Sequence, residues 1–317
     1  MARNPTRSRL ALGLGSILVI PLVAALQSCS KNESPAAAAA PAASSAAAAV
    51  IEGTPLIVTS ADGVHIEYQV YGHGDPAVVL IHGWSCDANY WRSQLDALKA
   101  KYTTVTVNLA GHGASAKNRT DWSMANYGED VAAVVRALKQ PAVVLVGHSM
   151  GAPVALEAAR RIGDRVIGIV AVDSLKSLGQ PPISAAEIEM RLKPFRADFI
   201  GRTREFVSSS FFTPDADPLF VRKVAEDMSL APPEVAIASM ESLLKMDLAP
   251  VVADLHVPVV AINSDATPTD EARIRKSLPA FRAVVMENTG HFLMMEKPQQ
   301  FNPILLREIA AMRSTRE

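Results

Sequence analysis

The stretch from Val143 to Arg160, VVLVGHSMGAPVALEAAR, constrains this chain more tightly than any other. Val143 to Val146 is a short β-branched run of the kind found in strands buried on both faces. Gly147-His148-Ser149-Met150-Gly151 follows, and then a segment rich in Ala, Leu, Glu and Arg with strong helix propensity. A strand that becomes a helix across one residue holds that residue in a strained turn, with its side chain pointing outward. Glycine at 147 and 151 removes the Cβ atoms that would collide with backbone at so tight a turn. Ser149 is then placed at a helix N-terminus, where free N–H groups and the helix dipole favour developing negative charge. The same five residues in a flexible loop would carry no such meaning; flanked by these elements they mark a nucleophilic serine.

The rest of the chain repeats the same alternation. Leu56–Ser60 and Val64–Tyr71, joined through Asp62-Gly63, suit an antiparallel hairpin. Ala77–Ile81 is a buried-type strand ending in His82-Gly83-Trp84, and Ala88–Ala100 has helical spacing with Trp91, Leu95 and Leu98 on one face. Tyr102–Asn108 is the next strand, Met124–Lys139 a helix and Val166–Val172 another apolar strand. Strands at Val259–Asn263 and Ala283–Glu287 and a helix opening at Pro298 complete the series. Alternating strands and helices give an α/β fold, a mostly parallel sheet covered on both faces.

His82-Gly83-Trp84, Gly111-His112-Gly113-Ala114-Ser115, Gly147-His148-Ser149-Met150-Gly151 and Gly290-His291-Phe292 occur in the order and places of the α/β-hydrolase family. The chain resembles that family from about Leu56 to its C-terminal helix, the middle insert excepted. It is most similar to esterase- and non-haem-haloperoxidase-like members with a Trp after the His-Gly pair. The resemblance implies an α/β-hydrolase fold, with a mostly parallel eight-stranded sheet flanked by helices and a helical cap insert. Two residues depart from the pattern: Asn108 stands where Asp is usual, and Ala110 where Pro or Arg is common.

A serine hydroxyl needs a base to take its proton. Of the seven histidines, His148 adjoins the serine and suits packing or hydrogen bonding, while His82 and His112 belong to glycine turns. His65, His73 and His256 have no motif around them. His291, in a loop after a strand and before a helix, is expected at the C-terminal edge of the sheet and is the candidate general base. The acid that orients it is expected at Asp265, which follows the strand Val259–Asn263, although Ile262 replaces the glycine usual in that loop. Asp173, at the end of the strand after the Ser149 helix, is its rival, and Asp270 stands third. By the resemblance, the backbone N–H groups of Trp84 and Met150 form the oxyanion hole.

The insert, about residues 175–257, breaks the alternation. Ala185–Phe195, Arg202–Phe211, Asp217–Met228 and Pro233–Met246 suit short amphipathic helices separated by Pro181-Pro182, Pro214 and Pro232-Pro233. Met190, Phe195, Phe206, Phe211, Phe212, Met228, Met240 and Met246 are expected to roof the site, most as ordinary cap core and a few against substrate. An apolar roof favours a small, neutral, hydrophobic ester over a charged peptide.

At the other end, Arg3, Arg7 and Arg9 precede the apolar run Leu10–Leu26, followed by Gln27-Ser28-Cys29. This resembles the lipobox of bacterial lipoproteins: a signal peptide over 1–28 and lipid on Cys29. An uncleaved anchor, interrupted by Pro21, and an ordinary signal peptide are the duller alternatives. Residues 29–53, rich in Ala, Pro and Ser and almost entirely so from Ser34 to Val50, suit an extended tether before a catalytic domain over 54–317. Lipid on Cys29 would hold the protein to a membrane surface in the cell envelope, and Ser30 suits the periplasmic face of an outer membrane. It would also leave Cys86 as the one remaining cysteine, expected as a small buried residue.

A net charge of −1 gives no reason to expect nucleic acid, and no Cys/His spacing suits a metal. The expectation is therefore a lipid-anchored serine hydrolase that cleaves carboxylic esters through an acyl-enzyme, with no metal or cofactor. Serine at the turn argues against dehalogenase and epoxide-hydrolase chemistry, which in similar members uses Asp there. C–C or amide hydrolysis, acyl transfer and perhydrolysis stay open, as does a non-catalytic binding lipoprotein.

Overall fold

A computed structural model describes residues 52–314. The expected leader, Cys29 and nearly all of the Ala/Pro/Ser tether lie outside the described residues.

Eight strands form one sheet: β1 (Leu56–Thr59), β2 (His65–Tyr71), β3 (Ala77–Ile81), β4 (Thr103–Val107), β5 (Val143–His148), β6 (Val166–Val172), β7 (Val259–Ser264) and β8 (Phe281–Met286). Their spatial order is β1-β2-β4-β3-β5-β6-β7-β8. β2 pairs antiparallel with β1 and β4, and every later pairing is parallel. Every residue of β3 to β7 is buried, which suits their β-branched, mostly apolar character; β4 (TTVTV) carries three threonines, and the polar residues of β5 and β7 fall at their C-terminal ends. The covering helices of the main domain include α1 (Arg92–Lys99), α2 (Met124–Ala137) and α3 (Gly151–Ile162). The helix expected over Ala88–Ala100 opens instead as a 3₁₀ turn, Ala88–Trp91, because the Asp87 carboxylate caps Asn89 N–H at 2.8 Å and tightens the first turn.

Between β6 and β7 the chain leaves the sheet for α4 (Ala185–Ala197), α5 (Phe199–Ser210), α6 (Pro218–Met228), α7 (Pro233–Lys245) and α8 (Ala249–Val252). Ser184, Asp198 and Asp217 accept backbone N–H bonds at the starts of α4, α5 and α6, and Pro233 opens α7. α5 begins three residues ahead of the expected Arg202 because Asp198 caps it through Gly201 N, and the short α8, which has no side-chain cap, is not among the expected helices. This cap is bolted to the main domain. The Trp84 ring meets Phe195, Phe199 and Phe206 edge-on, its Nε1–H donates to Ala236 O at 2.7 Å, and Tyr90 Oη–H donates to Asp227 Oδ2 at 2.7 Å. Of the expected roof, Phe195 and Met228 are buried in this cap core, whereas Met190 is 71% exposed and takes no part. Its helix turns it outward, a direction the weak amphipathic pattern of α4 does not specify.

After β7 come α9 (Glu271–Ile274), then β8, α10 (Leu293–Glu296) and α11 (Pro298–Ser314). α11 packs against α1 and β6.

Candidate active site

The C-terminal ends of β5, β6, β7 and β8 converge, and each carries one residue singled out from the sequence. β5 continues through His148, because its ladder holds Gly147 against Ile81 and His148 against Val172. Ser149 follows at φ +51°, a left-handed conformation that side chains rarely adopt. Its N–H is tied to Val172 O at 2.9 Å, and its carbonyl accepts from Ser174 Oγ at 2.9 Å. The flanking glycines are there for space: a Cβ on Gly147 would lie 2.2 Å from Gly151 O, and one on Gly151 would lie 2.4 Å from Ile81 O. Gly83 has less room than a side chain needs, since its Cβ would stand 2.9 Å from His148 Nδ1 and 3.2 Å from Ser149 Cβ. The His82–Trp84 loop thus lies against the serine. Met150 precedes the first turn of α3, where backbone N–H groups lack intrahelical acceptors.

His291 Nδ1 makes a 2.6 Å hydrogen bond with Asp173 Oδ2. This corrects the expectation of Asp265: the imidazole pairs with the rival aspartate, at the end of β6. Asp173 has φ +43°, which swings its carboxylate across β7, where Oδ1 accepts from Ser264 N (2.9 Å) and Ser264 Oγ (2.8 Å). Burial pushes the Asp173 carboxyl up, but the hydrogen bond and charge of His291, with the Lys176 ammonium, outweigh it and hold the group well below the usual carboxylate range. Asp265 is turned the other way, its oxygens accepting from Asn288 N (2.9 Å) and Thr289 N (3.3 Å). Asp270 caps α9 through Arg273 N.

The loop carrying His291 is held at every backbone N–H from 288 to 292. Asp265 takes the first two, the Glu296 carboxylate takes Gly290 N (2.8 Å) and Phe292 N (3.1 Å), and the cap's Phe211 O takes His291 N (2.7 Å). Burial raises the Glu296 carboxyl above its ordinary value, opposed by those two N–H bonds. The Phe211 ring lies on the imidazole with centroids 4.4 Å apart. The His148 ring lies 4.7 Å from it on another side, and His148 Nε2 bonds His291 O at 2.9 Å. A carbonyl only accepts, so His148 carries its proton on Nε2, and Nδ1 is left without a partner. Burial and the neighbouring His291 keep this ring neutral, with a pKa pushed down to about 3. His148, Glu296 and Phe211 were not assigned to this task from sequence. The pattern Gly290-His291-Phe292 with an acid at 296 is the one local signal that points to part of it.

His82 is structural. Leu109 N donates to its Nε2, so Nδ1–H donates to Gly83 O and cross-links two glycine turns. Asn108 Oδ1 accepts from Ala88 N at 2.8 Å, a neutral acceptor serving a turn where the related pattern has an acid. Cys86 is buried, and its thiol is pushed up by burial. A cavity of about 760 Å³ opens beside Ser149 and Met150 and is walled by Leu178, Leu243, Met246 and Leu248. Among the described residues no cluster of three or more His, Cys, Asp or Glu side chains is placed to hold a metal ion.

A family model described as the alpha/beta hydrolase family matches residues 78–304, from β3 into α11. The chain belongs to the α/β-hydrolase family. Among curated relatives of this hydrolase, 2-(acetamidomethylene)succinate hydrolase of Mesorhizobium japonicum is 25% identical over 237 residues, covering 71% of this chain and 84% of the relative. A pimeloyl-acyl-carrier-protein methyl ester esterase of Methylococcus capsulatus is 31% identical over 195 residues, covering 59% and 74%. A thermophilic esterase from Thermogutta terrifontis superposes with a TM-score of 0.72 at 22% identity, over 82% of this chain and 99% of that one. The eight-stranded, mostly parallel sheet with its flanking helices is the α/β-hydrolase fold.

Proposed function

We propose that this hydrolase cleaves carboxylic esters through an acyl-enzyme on Ser149, with His291 as general base and Asp173 as the acid that orients it. The observation that carries this is the 2.6 Å bond between His291 Nδ1 and Asp173 Oδ2. An ionised carboxylate only accepts, so Nδ1 carries the proton and Nε2 keeps its lone pair for the serine hydroxyl. Ser149 Oγ adds to the ester carbonyl as its proton passes to His291 Nε2. The Trp84 and Met150 N–H groups receive the oxyanion. The tetrahedral adduct collapses, the C–O bond to the alcohol breaks, and the imidazolium returns its proton to the leaving alkoxide. Water, deprotonated by the same nitrogen, then releases the acid and regenerates the serine.

The substrate is a small, largely neutral ester. Supporting this, Leu178, Leu243, Met246 and Leu248 form the apolar part of the cavity beside Ser149, and of the charged groups that also line it Arg191 is paired with Glu187. The ammonium of Lys176, which also lines it, is already taken by Asp173 and Ser264. The methyl ester esterase among the relatives agrees in bond type. We further infer a lipid anchor on Cys29 that keeps the enzyme at the envelope membrane, an inference supported by the sequence alone. A panel of 4-nitrophenyl esters run beside an aminoacyl amide, an enol-lactone and a C–C-cleavage dienol tests the bond class. Fastest turnover on short to medium esters is expected; turnover confined to another arm would replace the ester assignment.

A further inference from the structure

A charged side chain outside the proposed triad sits against its acid. Lys176 Nζ lies 2.8 Å from Asp173 Oδ1, with side chains 17% and 8% exposed. The ammonium also donates to Ser264 Oγ (3.1 Å) and Ser264 O (3.3 Å). Oδ1 therefore receives Lys176, Ser264 N and Ser264 Oγ, while Oδ2 receives His291. The division of labour between the two oxygens is complete.

The chain is bent to bring this about. Asp173 and Leu175 both have left-handed backbone, at φ +43° and +62°, in a segment with no glycine between Asp173 and Leu178. That double turn folds Lys176 back over the carboxylate three residues earlier. Arg273 secures it by donating to Lys176 O at 2.6 Å and Leu178 O at 3.3 Å. Strain of this kind persists where surrounding contacts hold it, and it collects at functional sites.

We propose that Lys176 is a positioning residue of the reaction: it fixes the acid by one oxygen and, by sharing that oxygen's charge, extends catalysis to lower pH. The inference rests on the roles given above to Asp173 and His291. An unshared carboxylate stabilises the imidazolium and so takes the base out of service as the pH falls. A cation on the far oxygen offsets part of that stabilisation, and the imidazole stays free in more acidic solution. The other charged or titratable groups facing the imidazole are His148, which burial keeps neutral, and Glu296, bound to the N–H groups on either side of His291. Asp265 is committed to the backbone of Asn288 and Thr289. None of these contacts Lys176, so its replacement isolates the effect.

The test compares wild type with Lys176→Met, which keeps the stem and removes the charge, and Lys176→Arg, which restores it. Imidazole ¹⁵N NMR follows His291 through a pH titration, and fluorophosphonate labelling rates are measured over the same range. In Lys176→Met the His291 inflection and the acidic limb of labelling are expected to move together to higher pH by about one unit. In Lys176→Arg both are expected to return to within a few tenths of a unit of wild type. An unchanged inflection in Lys176→Met, whatever its rate, overturns the role given to Lys176. An inflection that moves while the labelling limb stays fixed refutes His291 as the base instead, which separates the two failures.

Discussion

Asp173→Asn against Asp265→Asn discriminates sharply between the two aspartates. The structure dictates how an asparagine at 173 must sit. Every group facing Oδ1 is a donor: Ser264 N, Ser264 Oγ and Lys176 Nζ. The amide oxygen is therefore held on that side, and the NH₂ is left facing His291 Nδ1. An NH₂ can only donate, so the imidazole must shed its Nδ1 proton and carry it on Nε2, the nitrogen that has to receive the serine proton. The base is then in the wrong tautomer and its charged form has lost its counter-ion. A substitution with these consequences lowers kcat by about 1,000- to 10,000-fold, or roughly 4–5.5 kcal/mol of transition-state stabilisation. Asp265→Asn is different in kind. It removes one of two acceptors for the N–H groups of exposed Asn288 and buried Thr289, on a loop still held through His291 and Glu296, and a loss of less than about tenfold is expected. The assay is kcat and KM on 4-nitrophenyl acetate, with circular dichroism to show that both variants fold. Equal effects, or a larger one at 265, would refute the assignment of the acid.

Three further outcomes follow from the same structure. His112 and His148 are buried neutral, with pKa values pushed down to about 4 and about 3 from 6.5, in each case by burial first. The unfolded chain binds protons that the folded one does not between those values and 6.5. The contribution of these two histidines to stability is therefore constant above pH 7 and falls as the pH drops through 6.5, by on the order of 2 kcal/mol per histidine at pH 5; urea unfolding at pH 7 and pH 5 measures it, and equal midpoints would contradict neutral burial. Gly151→Ala forces a Cβ to within 2.4 Å of Ile81 O, and displacing strand backbone is expected to destabilise by about 3 kcal/mol or more, read as a melting temperature at least several degrees lower. Cys29→Ser is expected to move the protein from the membrane pellet to the soluble fraction, and unchanged fractionation would remove the lipid anchor.

Much of this molecule was legible in its sequence because its signals are local. The buried strands announce themselves as β-branched runs, three cap helices by Ser184, Asp217 and Pro233, and the serine turn by two glycines that backbone contacts make obligatory, whereas the Asp198 cap that starts α5 at Phe199 lies ahead of the expected Arg202. Which aspartate pairs with His291 is not legible in the sequence, for a physical reason. Asp173 and Asp265 follow neighbouring parallel strands, so both arrive at the same edge of the sheet. Which one meets the imidazole depends on a single backbone dihedral at Asp173 and on where two N–H groups at 288 and 289 point. No periodicity reports either. The contacts of Phe211 and His148 with His291 are invisible for a related reason, since they join segments 80 and 143 residues apart in sequence. Met190 shows the converse limit: an apolar residue on a weakly amphipathic helix faces water.

The most direct measurement is intact-protein mass spectrometry after millisecond quenching of the enzyme with 4-nitrophenyl butyrate, followed by peptide mapping. A single butyryl adduct on Ser149 in wild type is expected, with none in Ser149→Ala. Turnover without any adduct, or an adduct on another residue, would contradict covalent catalysis at this serine.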